Sequence, residues 1–379
     1  MIYERVARPL LFQLDPESTH RRTIDLARRI SRSSSLRAML QRWFDWQAPE
    51  LAVDVMGVRF RNPVGLAAGF DKHAEIYPIV PDLGFGHMEI GSVSLLPWRG
   101  NPSPTLLRLP RDHGLINRPG LNSHGSEAVA ARLEGSTFRI PTGLNLVKTA
   151  DPAISGDEAI RDYVTAIERF RRTGAFVTLN LSCPNSADGR SFEDASLFTR
   201  LMAAIDKSAW RSDDSTGRLL IKVSPDLNFA VLDSLIEIAE SYTVSGYVIS
   251  NTTARRDRLT TPREVLNRFG AGGLSGAPLK PYTMAMLQHV AARVDRSRVL
   301  VACGGVGCDP NLHPADEVWE YLEAGASLVQ LHTGLIYSGP SIASRINQGL
   351  VAILQKVGVS SLNDYLANRC SSNKPIRIA

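Results

Sequence analysis

The residue types best suited to chemistry fall in short clusters along the chain. They are Gly69-Phe70-Asp71-Lys72, Gly91-Ser92, Asn145, Asn180-Leu181-Ser182-Cys183-Pro184-Asn185, Lys222, Ser250-Asn251-Thr252, Cys303-Gly304-Gly305 and His332-Thr333-Gly334. Amides and lysines neither titrate usefully at neutral pH nor attack substrates unaided, so such a set suits hydrogen bonding to a planar, polar heterocycle. It binds rather than cuts. The good proton acceptor among these residues is Cys183, whose thiol has an unperturbed pKa of about 8.5. Taken singly, each residue also has a plain reading: Asn as a turn residue, a Gly pair as a tight turn, Lys as a solvated side chain, Cys as a small buried hydrophobe.

What binds them into one site is the element that precedes each cluster. Short apolar runs occur at 64–68, 87–91, 142–147, 176–181, 219–223, 246–250, 299–302 and 327–331, and amphipathic helical patterns alternate with them. Ile160, Tyr163, Val164, Ile167 and Phe170 recur at helical spacing, as do Leu232, Leu235, Ile236 and Ala239. Ser155 with Glu158 fits a capping box, and Asn228 and Ser341 are candidate caps. Eight strand-helix repeats predict an α/β fold, a (β/α)8 TIM barrel, in which the carboxyl ends of the strands build the active site. A doubly wound open sheet is the alternative, but no G-x-G-x-x-G follows an early strand.

Every cluster then lands on one rim. Glycines after the seventh and eighth strands stand where barrels bind phosphate through backbone N–H groups, and the amides suit a heterocycle. Flavin mononucleotide (FMN) satisfies both features, with a lysine near its pyrimidine edge to stabilise the reduced ring's anion.

Two segments lie outside the repeat. Residues 92 to 140 form a Pro-, Gly- and Arg-rich insertion, expected to hold short extra strands such as Thr105 to Leu109; insertions this long are usually functional. Residues 1 to 50 read as an amphipathic helical extension ahead of a barrel spanning 51 to 379. There Leu36, Met39, Leu40, Trp43 and Phe44 sit at i, i+3, i+4, i+7 and i+8, and the segment carries nine Arg against six acids. Such a face either lies on an anionic membrane or packs on the barrel.

Composition narrows the function classes. The chain has 379 residues, 44% hydrophobic and 21% charged, with a formal net charge of +5, ordinary values for a folded globular protein. The four cysteines form no C-x-x-C pair, which argues against a disulfide framework or a zinc knuckle, and no metal site is expected. No run approaches the ~18 apolar residues needed to span a bilayer, and the N-terminus does not read as a secretory leader. Arg residues are scattered without interleaved aromatics, so no nucleic-acid partner is expected.

The ordered motifs FQLDPESTH (12–20), NPVGLAAGFDK (62–72), EIGSV (89–93), GLINRPGLN (114–122), NLSCPN (180–185), KVSPDL (222–227), SNTT (250–253), GGLSG (272–276) and GASLVQLHTG (325–334) resemble those of the dihydroorotate dehydrogenases, specifically the membrane-associated, quinone-dependent class 2. The resemblance implies FMN contacts from Ala68, Gly69, Lys72, Ser92, Asn145, Asn180, Lys222, Ser250, Gly276, Gly305, His332 and Thr333. It implies substrate contacts from Lys72, the segment Asn117, Arg118, Pro119, Gly120 and Leu121, and from Asn180, Asn185, Asn251 and Thr252.

The implied reaction oxidises dihydroorotate to orotate in pyrimidine biosynthesis. A base, here Cys183, takes the C5 proton while C6 delivers a hydride to the flavin, and a quinone reached through the N-terminal helices is the acceptor. A peripheral position on the cytoplasmic face of the cell membrane follows; the oligomeric state stays open. Four departures stand out: Cys183 occupies a position where class 2 usually has Ser and the soluble class 1 has Cys, Ser186-Ala187-Asp188-Gly189-Arg190 alters the lid after Asn185, Pro119-Gly120-Leu121 alters the wall over the substrate, and His332 replaces a usual Tyr. The altered lid leaves a related cyclic carboxylated substrate as the alternative, and a non-enzymatic barrel that binds lipid or nucleic acid as a third reading.

Overall fold

The computed structural model describes residues 3–181, 191–211 and 217–371. Its centre is a closed barrel of eight strands: β3 (Val64–Leu66), β4 (His87–Val93), β7 (Thr142–Leu146), β8 (Phe176–Asn180), β9 (Leu219–Val223), β10 (Gly246–Ile249), β12 (Val299–Cys303) and β13 (Leu328–Leu331). Neighbours pair in parallel, and β13 closes on β3 through Val329, Gln330 and Leu331 against Val64, Gly65 and Leu66. All eight predicted strands are present. They read as continuous apolar runs because both faces are covered, one by the barrel interior and the other by helices.

The remaining strands are accessory. A hairpin of β1 (Val53–Val55) and β2 (Val58–Phe60) precedes the barrel. Phe60 packs with Phe176, Leu220, Val248, Val299, Val301 and Leu328 in a separate apolar cluster. The insertion folds as β5 (Leu106–Leu109) and β6 (Gly114–Asn117), and β11 (Gly273–Gly276) completes a three-stranded antiparallel sheet in the order β11-β6-β5. The segment after β10 is thereby stitched to the insertion, 156 residues earlier in the chain, by pairing Gly273 with Asn117.

Three helices form the extension: α1 (Arg8–Gln13), α2 (Pro16–Ser31) and α3 (Ser34–Phe44). Asp15 caps α2 by accepting from the Ser18 N–H at 2.8 Å, with Pro16 in the first turn, and Ser33 caps α3. The outer helices are α4 (Ser126–Leu133), α5 (Gly156–Arg169), α6 (Ala195–Asp206), α7 (Phe229–Glu240), α8 (Arg263–Phe269), α9 (Lys280–Ala291), α10 (Pro314–Glu323), α11 (Thr333–Ser338), α12 (Ile342–Val357) and α13 (Leu362–Ser371). Asn228 caps α7 as expected, accepting from the Val231 N–H at 2.9 Å. Ser155 occupies the cap position of α5, but its side chain makes no capping bond.

The apolar face of α3 divides. Leu40 and Phe44 are half-buried, whereas Leu36, Met39 and Trp43 are exposed, Trp43 at 64%. Leu10, Leu14 and Leu26 add exposed apolar surface on α1, its flank and α2. Among the described residues no helix is long and apolar enough to cross a membrane.

Candidate active site

Because β-strand side chains alternate, the inward positions of the barrel stack in layers. Glu89, Asn145 and Gln330 are buried together: Gln330 Nε2 donates to Glu89 Oε1 and Asn145 Nδ2 donates to Glu89 Oε2, each at 2.8 Å. Toward the rim, Ser92 Oγ donates to Asn145 Oδ1 at 2.5 Å and receives Asn180 Nδ2 at 3.1 Å. Asn251 Nδ2 donates to Asn180 Oδ1 at 3.1 Å, and Asn251 Oδ1 accepts the Thr252 N–H at 2.9 Å. Tyr163 of α5 donates its hydroxyl to the Asn180 carbonyl at 2.7 Å, bracing the end of β8. The amides predicted from separate strands thus form one connected group.

Lys72 follows β3 and donates to Asn122 Oδ1 in the insertion. Asn117 donates Nδ2 to the Gly273 carbonyl at 3.1 Å. Arg118 turns the other way: its Nε donates to the Pro104 carbonyl at 2.9 Å and its guanidinium lies 4.5 Å from the centre of the Phe269 ring. Arg118 therefore braces the insertion sheet. The Pro119 carbonyl accepts from the Asn101 N–H at 3.0 Å, and Gly120 and Leu121 both adopt left-handed backbone, φ +67° and +57°. A non-glycine residue such as Leu121 is seldom held there, so the wall segment is constrained by its surroundings.

The rim positions beside these amides fit a flavin, with Lys222 in register with Asn180 on the neighbouring strand. Lys222 on β9 is buried, 5% exposed, with no hydrogen-bond or ion-pair partner among the described residues. A buried ammonium in that condition is costly unless an anionic or acceptor-rich group meets it. Cys303, at the end of β12, lies near Lys222 and Glu89; burial pushes its thiol up against the lowering effect of Lys222, which disfavours the thiolate.

Gly304 and Gly305 follow, with φ +148° and +78°, and a Cβ on Gly305 would collide with Lys280. Gly276, which ends β11, is also left-handed, and Thr333 Oγ1 donates to Ser275 Oγ at 2.9 Å beside it. Ser250 is tied to Thr283 through their hydroxyls at 3.0 Å. Ala68 and Gly69 lie between β3 and Lys72, with the Gly69 N–H donating to the Gly91 carbonyl at 2.6 Å. The fit comprises a buried cation with no partner among the described residues, amide and hydroxyl groups, and a glycine-lined turn.

His332 does not face a phosphate end alone. Its ring packs edge-on against Phe70 at 5.3 Å, and Phe70 meets His20 of α2 at 5.6 Å. Burial, then the proximity of His20, Lys72 and Lys222, push the His332 imidazole down to about 3, while burial and Lys72 hold His20 at about 4. Both are neutral at physiological pH, and this aromatic row links the extension to the rim.

Cys183 and Asn185 lie outside the described residues. The sequence alone does not mark out Asn122, Glu89 or Gln330 as site residues. Asn122 stands 50 residues from Lys72, and Glu89 and Gln330 sit inside runs that read as plain strands. An acid or amide within a doubly covered strand was the available signal. Among the described residues no group of His, Cys, Asp and Glu is arranged to hold a metal ion.

Comparisons with known proteins identify the family and the fold. A family profile for dihydroorotate dehydrogenase matches residues 50–354. The chain is 37% identical over 369 residues to a dihydroorotate dehydrogenase (quinone) of Mycolicibacterium smegmatis, covering 97% of this chain and 99% of that protein. It is 36% identical over 370 residues to the enzyme of that name from Thermobifida fusca, covering 96% and 95%. A crystal structure of DHODH from Eimeria tenella in complex with ferulenol superimposes with a TM-score of 0.78 at 27% identity, covering 93% of this chain and 95% of that one. With the match running through extension, barrel and rim alike, the chain belongs to the dihydroorotate dehydrogenase family, in its FMN-containing, quinone-dependent class.

Proposed function

We propose that the rim described above is where this enzyme carries out its reaction, the oxidation of dihydroorotate to orotate with a quinone as acceptor. FMN, when bound, supplies a two-electron acceptor for the hydride and passes the electrons on. The observation that carries the assignment is Lys222, a buried ammonium without a protein partner among the described residues, set on the same rim as Asn145, Asn180 and Asn251. Lys222 would hold the flavin's pyrimidine edge and stabilise negative charge there. Gly276, Gly305 and Thr333 would receive its phosphate, with Ala68, Gly69, Ser92 and Ser250 along the ring.

Substrate would lie against Lys72, Asn117, Asn180, Asn185, Asn251 and Thr252, with Pro119, Gly120 and Leu121 as the wall. Lys72 supplies the charge for a carboxylate. Cys183 would take the C5 proton, a role for which a thiol is far better matched to neutral pH than a serine hydroxyl. Anaerobic addition of dihydroorotate to the flavin-loaded protein should bleach the flavin with stoichiometric orotate. No bleaching with dihydroorotate, but bleaching with a related cyclic acid, would move the substrate assignment.

The extension, residues 1–50, is proposed as the quinone entrance and as a peripheral contact with the cytoplasmic face of the cell membrane. Leu36, Met39 and Trp43 offer bulky apolar side chains, Arg21, Arg22, Arg29 and Arg42 supply positive charge for anionic lipid, and the His20–Phe70–His332 row runs inward. Sedimentation with anionic vesicles, with and without residues 1–45, tests this directly.

A further inference from the structure

Glu89 is a fully buried carboxylate, and no step of the reaction uses it. A carboxylate only accepts hydrogen bonds, so Gln330 and Asn145 must both turn their NH2 groups toward it. That turns Asn145 Oδ1 toward Ser92, whose single hydroxyl proton goes to it. Ser92 Oγ is then an acceptor, which fixes Asn180 with its NH2 toward Ser92 and its Oδ1 toward Asn251. Four residues, Asn145, Ser92 and Asn180 on three strands and Asn251 just after a fourth, thus donate in a single sense that ends on Glu89. Hydrogen bonds aligned in one direction polarise and strengthen each other.

We propose that Glu89 is a positioning residue: it sets the direction of the rim amides so that Asn180 offers the substrate an N–H, its carbonyl oxygen being occupied by Asn251. With the opposite sense, Asn180 would present an oxygen lone pair to a ligand rich in carboxylate and carbonyl oxygens. Such a juxtaposition is repulsive. The proposal rests on the reading of Asn180 and Asn251 as substrate contacts.

The test is orotate titration of the FMN-loaded protein, followed by the flavin absorbance, together with steady-state kinetics. Glu89→Gln keeps an acceptor toward Asn145, and its new NH2 is satisfied once the Gln330 amide turns over, bringing Oε1, which is buried and without a partner among the described residues, round to the position Nε2 now holds. The donor direction survives, so the orotate Kd should stay within about threefold of the parent. Glu89→Leu removes the terminal acceptor and should raise the Kd roughly tenfold or more, with KM for dihydroorotate rising more than kcat falls.

Should the Leu variant fail to fold, Ser92→Ala cuts the chain between Asn145 and Asn180 with Glu89 in place and predicts the same loss of orotate. A carboxylate that merely fills space predicts otherwise, with Gln and Leu alike in orotate affinity. Parent-like orotate binding in the Leu or Ser92→Ala variant, or equal loss in Gln and Leu, overturns the proposal. Asn180→Ala is the control: if it leaves orotate binding intact, the substrate reading has failed, whereas if it weakens binding and Glu89→Leu does not, only the role of Glu89 has failed.

Discussion

Arg37 of α3 donates through Nε to the buried carboxylate of Asp82 at 2.8 Å, and Arg139 reaches the other oxygen of the same group. The extension is therefore tied to the barrel by an ion pair one side of which is only 1% exposed. Arg37→Met should cost about 1–3 kcal/mol in chemical denaturation, since removing a partner leaves a buried carboxylate short of one donor while Arg139 retains the other. Deleting residues 1–45 should lower stability as well as abolish quinone turnover. An Arg37→Met protein as stable as the parent would show that Arg139 suffices.

Glu317 of α10 lies beneath the glycine turn after β12. It accepts the Gly307 N–H at 2.6 Å, stands 3.8 Å from Lys280, and is pushed by burial up to about 7. A carboxyl whose folded pKa is raised contributes its full stability below the unfolded value near 4.5 and loses it as pH rises from there to about 7. Glu317→Gln should remove this component, on the order of 3 kcal/mol, so that its unfolding free energy falls less than the parent's between pH 4.5 and 7.5. Parallel stability curves would contradict it.

The barrel was legible because its strands are covered on both faces and so read as uninterrupted apolar runs. The same feature hid Glu89 and Gln330, which a pattern of apolar runs absorbs without comment. Within the insertion, β5 was foreseen, but the β6–β11 pairing joins Gly-rich segments far apart in the chain, and short-range periodicity carries no trace of it. The amides were recognised as a set from their strand ends; that they form one directed group, and that Arg118 turns outward to Phe269, depends on side-chain rotations no spacing encodes. On α3 the heptad-like spacing was right, yet it could not divide Leu40 and Phe44 from the exposed Leu36, Met39 and Trp43.

Trp43→Ser combined with Met39→Ser should weaken binding to anionic vesicles by about tenfold or more, since each bulky side chain contributes about 1.5–3 kcal/mol on burial. Anaerobic reduction of the flavin by dihydroorotate should be unchanged in this variant. Vesicle binding equal to the parent's would contradict a membrane contact through α3.

Lys222→Ala should slow flavin reduction by about a hundredfold, the usual scale for removing a group aimed at developing charge in a water-poor site. FMN should remain bound through the glycine-lined end. An Ala variant that reduces as fast as the parent would remove Lys222 from the flavin's charged edge.

Rapid anaerobic mixing of dihydroorotate with the flavin-loaded parent, Cys183→Ser and Cys183→Ala proteins across pH tests the assigned chemistry most directly. The expected result is fast bleaching in the parent, weak bleaching displaced to higher pH in the Ser variant, and almost none in the Ala variant, although dithionite still bleaches it and orotate still binds. Bleaching of the Ala variant at the parent's rate would contradict it, because the C5 proton would then leave by another group.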